Sequence, residues 1–212
     1  MYNENYYRGV YKDYDFHNPP EKLLFYRSII EKLAPKKENI KILDLGCAFG
    51  NFLASLNPKW MRFGIDVSNF AINKAKKRYR DVQFRNGDLT IIPFEEVFDI
   101  IVAFDTLEHI VDCDSLVLSL RKKLQSKGKL IFVVPVYDGP LGSIVKLLDK
   151  DPTHVHKKSR YYWLDWIEKS FEVMEWFGVV RYLLPWNYYF HMPTKIFRKF
   201  APAIIVICCK EE

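Results

Sequence analysis

The chain has 212 residues, of which 49% are hydrophobic and 27% charged, a length that suits one packed core and a composition that excludes wholesale disorder. Its net charge of +6 is spread over predicted helices such as 74–80 and 121–123, so it reads as solvated surface and not as the footprint of a nucleic acid. Four cysteines without a CxxC pair, no signal-like N-terminus and no apolar run longer than 203–209 exclude a disulfide framework and a transmembrane span and lead us to expect a soluble cytoplasmic protein.

Residues 1–17 are rich in Tyr and Asn and lack periodicity. Asn18-Pro19-Pro20-Glu21 reads as an N-cap followed by prolines in a first helical turn. Leu23, Tyr26, Ile30 and Leu33 then recur at helical spacing up to Pro35, which predicts a helical cap within residues 1–38. From Lys41 the pattern changes to short apolar runs at 41–45, 62–67, 82–85, 98–104 and 130–136, as expected of strands buried on both faces. Helical stretches fill the gaps: Ser68 is placed to cap 69–79, and Ser115 to start a helix carrying Leu116, Leu120 and Leu124 that Gly128 stops. Strands alternating with helices predict right-handed βαβ units and a doubly wound α/β sheet. Past Val136 the regularity weakens through a loop containing Asp138-Gly139-Pro140 and Asp151-Pro152-Thr153-His154-Val155-His156. Ser159 is placed to cap an aromatic helix to Lys169. Strands at 171–180 and 203–209 follow, separated by an aromatic insertion at 182–202. Aromatic residues, 16% of the chain, cluster at 2–16, 161–166 and 186–200, which marks those segments as candidate lids.

The first strand runs into Asp44-Leu45-Gly46-Cys47-Ala48-Phe49-Gly50, a turn where Gly46 and Gly50 let the backbone bend sharply and approach a ligand closely. The helix that follows can point its N-terminus at an anionic group. Asp66 stands 22 residues after Asp44 at the end of the second strand, where an acid can accept hydrogen bonds from ribose hydroxyls. Asn86-Gly87-Asp88-Leu89 brings a further carboxylate to the same edge. A dinucleotide fingerprint G-x-G-x-x-G is not met, because position 48 is Ala and the two glycines are four apart.

Residues 41–136 resemble the class I S-adenosylmethionine-dependent methyltransferases, in particular the small-molecule, ubiquinone-biosynthesis-like group, with Ala48 where a middle glycine is common. The resemblance implies a mainly parallel seven-stranded Rossmann-like sheet with its last strand antiparallel. It divides a single methyltransferase domain, 1–212, into the cap (1–38), a cofactor-binding half (39–137) and an acceptor-side half (138–212). It implies S-adenosylmethionine as cofactor, with Asp44, Gly46, Cys47, Ala48 and Gly50 in the first motif and the cofactor's carboxylate facing the helix N-terminus. Asp66 with Val67 would meet the ribose, Asp88 with Leu89 the adenine, and Phe104 would lie beside the cofactor.

Methyl transfer from a sulfonium asks the protein mainly to align a nucleophile, exclude water and, for a hydroxyl acceptor, take a proton. His109, in Asp105-Thr106-Leu107-Glu108-His109, is a candidate general base, and His154 is the first candidate among the loop residues to contact the acceptor. In an extended segment His154 and His156 would point the same way. The spacing of Asp105, Glu108 and His109 resembles an acid-x-x-Glu-His pattern that holds a divalent metal in ubiquinone-type O-methyltransferases and small-RNA 2′-O-methyltransferases. The same letters occur in members without metal, and no metal is assigned from sequence. The expected acceptor is a small molecule, aromatic or lipid-like if the aromatic segments wall the pocket, methylated on oxygen before carbon. The alternatives are an RNA or protein methyltransferase and a non-catalytic cofactor- or partner-binding module.

Overall fold

The computed structural model describes residues 18–149, 151–184 and 188–211. The aromatic cluster at 2–16 and Trp186 lie outside the described residues. In chain order the elements are α1 (Pro20–Leu33), β1 (Lys41–Leu45), α2 (Asn51–Ser55), β2 (Met61–Asp66), α3 (Asn69–Arg78), β3 (Gln83–Asn86) and β4 (Phe98–Phe104), then a 3-10 turn (Leu107–His109). They continue with α4 (Cys113–Lys123), β5 (Leu124–Pro135), α5 (Gly142–Leu148), α6 (Arg160–Glu168), β6 (Glu172–Leu184), β7 (Tyr188–Thr194) and β8 (Ala203–Cys209).

These strands form one sheet in the order β3-β2-β1-β4-β5-β8-β6-β7. β1 to β5 pair in parallel, and β8 is antiparallel to both β5 and β6. The chain builds outward from β1 through β2 and β3, then returns to β1's other side with β4. The carboxyl ends of β1 and β4 therefore diverge, and a crevice opens where the winding reverses.

Alternation along the strands sorts side chains onto two faces. Leu43, Leu45, Phe63, Ile101, Ala103, Phe132 and Val206 pack with Leu116 and Leu120 of α4 and Trp163 and Ile167 of α6. Ile42, Ile100, Val102, Ile131 and Ile205 pack on the opposite face with Tyr26 and Ile30 of α1, Leu53 of α2 and Ile72 and Ala75 of α3. Covering both faces is what allows the strands to be apolar throughout.

Ser68 and Ser159 cap their helices as expected, accepting from the amides of Ala71 and Tyr162. Elsewhere the caps shift. Pro19, not Asn18, occupies the N-cap of α1, with Pro20 in its first turn. α4 begins at Cys113 because Asp112 caps it, its carboxylate accepting from Ser115 N. Gly128 does not stop that helix: the chain enters β5 at Leu124, and the pairing with β4 slips between Phe98 and Ile100 to accommodate 125–128.

The sheet has eight strands, not seven. Residues 188–194 of the expected insertion form β7, which pairs antiparallel with β6 from Leu184↔Tyr188 to Gly178↔Thr194. The pairing is long range and leaves little local trace: Pro193 breaks the strand pattern, and only an edge position tolerates it. Residues 142–148, read as loop, form the short helix α5.

Candidate functional site

Three residues of the β1–α2 turn have positive φ: Gly46 at 73°, Ala48 at 44° and Gly50 at 77°. Gly46 and Cys47 donate their amides to the carbonyl of Ile65 at 2.8 and 3.1 Å, which ties the loop to β2. The alanine that replaces the usual middle glycine thus carries a left-handed conformation, which for an L residue costs about 1–2 kcal/mol. Asp66 is the compensating contact, because its carboxylate accepts from Ala48 N at 2.9 Å and from Ser68 N at 2.8 Å. Sequence reasoning placed Asp66 at the ribose and did not show that it also holds the glycine turn. Both functions are compatible, since a carboxylate offers about four lone-pair sites.

Asp44 and Asp66 are 4% and 6% exposed. Burial, and then the neighbouring charge of Asp66, pushes the Asp44 carboxyl well above the usual carboxylate range. Burial raises the Asp66 carboxyl as well, against the pull of its two backbone donors. Burial also pushes the Cys47 thiol well up, so Cys47 serves the turn through its backbone and by packing its sulfur where Gly64 leaves room.

Between this turn, α1 and the end of β4 lies a cleft lined by Asn18, Lys22, Tyr26, Asp44, Gly46 and Phe104, among others. Phe104 stacks on Tyr26 with ring centroids 4.2 Å apart and meets Phe52 edge-on at 5.0 Å. An ammonium, a carboxylate and an aromatic wall face one space, a lining that fits the charged amino-acid end of S-adenosylmethionine. Of the expected cofactor residues, Asp44, Gly46, Cys47 and Phe104 border this cleft, whereas Asp66, Val67, Asp88 and Leu89 lie further along the same sheet edge. Asp88 is exposed, its Oδ1 accepting from the amide and hydroxyl of Thr90 at 2.8 Å. Val67 is exposed and Leu89 buried, giving that edge one open and one packed apolar group.

Beyond β4 the structure assembles a brace that sequence reading missed. Asp105 has φ 52° and pairs with Arg181 of β6 at 2.5 Å and with Lys22 of α1 at 3.8 Å. Burial opposes its charge, yet Arg181 and Lys22 prevail and hold the carboxyl down at about 2. Burial, Arg181 and Lys22 together lower the nearby His191 imidazole of β7 to about 3. Lys22 lies 159 residues from Arg181 and 169 from His191, and nothing local marks it as their partner.

A second cluster follows within one turn. His109 and His154 lie with ring centroids 4.6 Å apart. His154 Nδ1 is 2.8 Å from Asp149 Oδ2, which also accepts from the Tyr137 hydroxyl at 2.6 Å and from Lys157 at 2.9 Å. Burial works against the Asp149 charge, and these donors hold its carboxyl well below the usual range. Burial, then the neighbouring His154, lowers the His109 imidazole. Glu108 is fully buried beside them, and burial followed by the charge of Asp105 raises its carboxyl well above normal. His156, by contrast, turns away to Ile110 O at 2.9 Å and stacks toward Tyr162. The expectation that His154 and His156 share one direction is not met, because the amides of Val155 and His156 both bond the Glu108 carbonyl and bend the segment.

A parallel sheet reversing at β1/β4, a glycine turn at that reversal and acids at successive strand ends define a Rossmann-like, class I methyltransferase fold. A family model described as a methyltransferase domain matches residues 36–182, and the chain belongs to that family, whose class takes its methyl group from S-adenosylmethionine. Phosphoethanolamine N-methyltransferase 1 of Triticum aestivum is 33% identical over 112 residues, 50% of this chain and 22% of that protein. Malonyl-[acyl-carrier protein] O-methyltransferase of Bacillus anthracis is 28% identical over 110 residues, 50% of this chain and 41% of that protein. The chain thus spans less than half the length of these relatives. A solved S-adenosylmethionine-dependent methyltransferase from Thermotoga maritima superposes with a TM-score of 0.70 over 97% of this chain and 98% of its own, at 16% identity, a likeness of fold alone. Among the described residues no helix is long and apolar enough to cross a membrane.

Proposed function

We propose that the chain transfers the methyl group of S-adenosylmethionine to a small-molecule acceptor, on oxygen in preference to carbon. The cleft supports the donor half of this reading: Lys22 and Asp44 would hold the carboxylate and ammonium of the methionine moiety, and the Gly46–Cys47–Ala48 backbone would lie beside it. Gly50 opens the helix beneath; Asp66 and Val67 would hold the ribose, Asp88 and Leu89 the adenine, and Phe104 would lie beside the cofactor. Because the cofactor supplies an activated methyl group, the chain's own residues need only orient the acceptor, keep water out and accept a proton.

The observation that carries the oxygen reading is the His154–Asp149 pair beside His109, one turn beyond Phe104. With Nδ1–H donated to Asp149, His154 presents Nε2 as its basic nitrogen, the arrangement of a base held in one tautomer by an acid. Relatives whose names specify malonyl-[acyl-carrier protein] and phosphoethanolamine as acceptors support a small polar or acyl acceptor. The segment after β4 also lacks the Asn/Asp-Pro-Pro-Tyr/Phe sequence suited to the amino groups of bases.

The test is a two-stage one. Calorimetry with S-adenosylhomocysteine is expected to show one site per chain. A screen of hydroxyl and carboxyl acceptors with methyl-labelled cofactor then identifies a substrate, on which His154→Ala is expected to lower kcat by about 100-fold or more. Undiminished turnover in that variant removes His154 from the reaction.

A further inference from the structure

Asp149 carries more hydrogen bonds than the orientation of one imidazole requires. Its Oδ2 accepts from the Tyr137 hydroxyl at 2.6 Å, from His154 Nδ1 at 2.8 Å and from Lys157 Nζ at 2.9 Å, and its Oδ1 accepts from the Asp151 amide at 3.1 Å. A carboxylate offers about four lone-pair sites, so these four donors saturate it. The Tyr137 oxygen also lies 3.2 Å from His154 Nδ1, and since its own proton goes to Asp149 it faces that nitrogen with a lone pair. Both neighbours of Nδ1 are therefore acceptors, and Nδ1 carries the ring proton.

The backbone brings these groups together. The Tyr137 amide donates to the Lys158 carbonyl at 3.0 Å, which ties the end of β5 to the histidine-bearing loop, and α5 closes at Asp149 with the amide of that residue on Val145 O at 2.9 Å. Lys157 Nζ donates a second time, to the Asp149 carbonyl at 3.3 Å. Burial, then the bond to Asp149, pushes the Tyr137 hydroxyl well above its usual range, so it stays a donor. On the far side of the ring, His154 Nε2 has no hydrogen-bond partner among the described residues. Glu108 Oε1 and Asp151 Oδ2 are each 4.0 Å from it.

Resting on the methyl-transfer reading above, we propose that Tyr137 and Lys157 are positioning residues: they hold the Asp149 carboxylate against His154 and share its charge, so that His154 is kept a neutral base with Nε2 free for the acceptor's proton. In the transfer the acceptor O–H proton passes to Nε2 as the O–C bond forms and the S–C bond of the donor breaks, which leaves an imidazolium and a thioether. A saturated Asp149 cannot draw the Nδ1 proton off. The Lys157 ammonium on the same carboxylate oxygen opposes a positive ring, so the base stays neutral to lower pH than Asp149 alone would allow. The other titratable groups around the ring are Glu108 and His109 of the 3-10 turn and Asp151 of the loop, and substitutions at 137 and 157 leave all three in place.

The first measurement needs no acceptor. Imidazole NMR of isotope-labelled protein, with the His154 signals assigned by their absence in His154→Gln, reads both the tautomer and the titration of the ring. The neutral parent is expected to carry its proton on Nδ1. Removing a cation or a donor returns charge to Asp149, so Lys157→Met should titrate His154 about 0.5–1 pH unit higher than the parent. Tyr137→Phe should move it the same way by less, Asp149→Asn should move it down, and Lys157→Arg should match the parent. On an identified acceptor the acidic limb of kcat/KM should move with the same signs. If Tyr137→Phe does not fold, Lys157→Met carries the readout. A parent protonated on Nε2, or a folded Lys157→Met that titrates with the parent or below it, overturns these roles. S-adenosylhomocysteine calorimetry on the same samples separates the two readings: cofactor binding with an unmoved titration refutes the roles of Tyr137 and Lys157 alone, and a moved titration without cofactor binding refutes methyl transfer as their purpose.

Discussion

Replacing Gly46 by Ala tests how tightly the cofactor turn is built into the sheet. A Cβ at position 46 would sit 2.5 Å from Thr106 Oγ1, 2.8 Å from Thr106 Cγ2 and 3.2 Å from Thr106 Cβ. The contact cannot be relieved by rotating Thr106 freely, because its hydroxyl donates to the Leu45 carbonyl at 3.0 Å from a buried position. Two costs therefore add. The left-handed φ of 73° costs an L residue about 1–2 kcal/mol, and overpacking adds about 1–3 kcal/mol. A loss of about 2–5 kcal/mol corresponds to a fall in Tm of roughly 4–20 °C for a chain of this size. Urea unfolding of four proteins, the parent, Gly46→Ala, Thr106→Ala and the double variant, separates the terms. Thr106→Ala removes the two closest atoms, so the double variant should recover about 1–3 kcal/mol while the backbone cost remains. A Gly46→Ala variant within about 0.5 kcal/mol of the parent, or a coupling near zero, would refute this account of the turn.

Asp66→Ala should lose both stability and S-adenosylhomocysteine affinity, since it leaves the Ala48 and Ser68 amides without their acceptor; Asp66→Asn keeps one acceptor and is expected to lose affinity at least about tenfold while staying folded. Unaltered affinity by calorimetry in Asp66→Asn would sink the ribose assignment. The His191 imidazole is held at about 3, below its usual 6.5, so the unfolded chain binds a proton that the folded chain refuses as the pH falls through 6.5. The stability from a neutral His191 is complete above that pH and is lost toward pH 3, at no more than about 1.4 kcal/mol per pH unit. Melting curves between pH 7.5 and 5 should therefore be flatter for His191→Phe than for the parent, and parallel curves would contradict the burial argument.

Much of the donor side could be read locally. The runs ending at Asp44, Asp66 and Asp88 announce buried parallel strands, and Gly46 and Gly50 announce a turn, because each signal is carried by residues within a few positions of one another. Ala48 could be recognised as a departure, but its φ of 44° and its support by Asp66 depend on how β2 lies beside β1. The acceptor side was legible only as letters. Asp105, Glu108 and His109 form one string in the sequence, yet the fold sends Asp105 to Arg181 on β6 and Glu108 toward His154. β7 illustrates the same limit, since a strand containing Pro193 exists only because β6 extends far enough to pair with it.

Sequence alone therefore determined the class of the protein and the sheet edge where the glycine turn and the strand-end acids gather, because periodicity, glycine positions and strand-end acids are short-range properties of the chain. Tertiary structure decided which side chains share a site. Burial without a side-chain hydrogen-bond partner among the described residues, as at Glu108, and charge neutralisation across 76 residues, as between Asp105 and Arg181, arise only when distant segments are brought within a few ångströms and water is excluded between them.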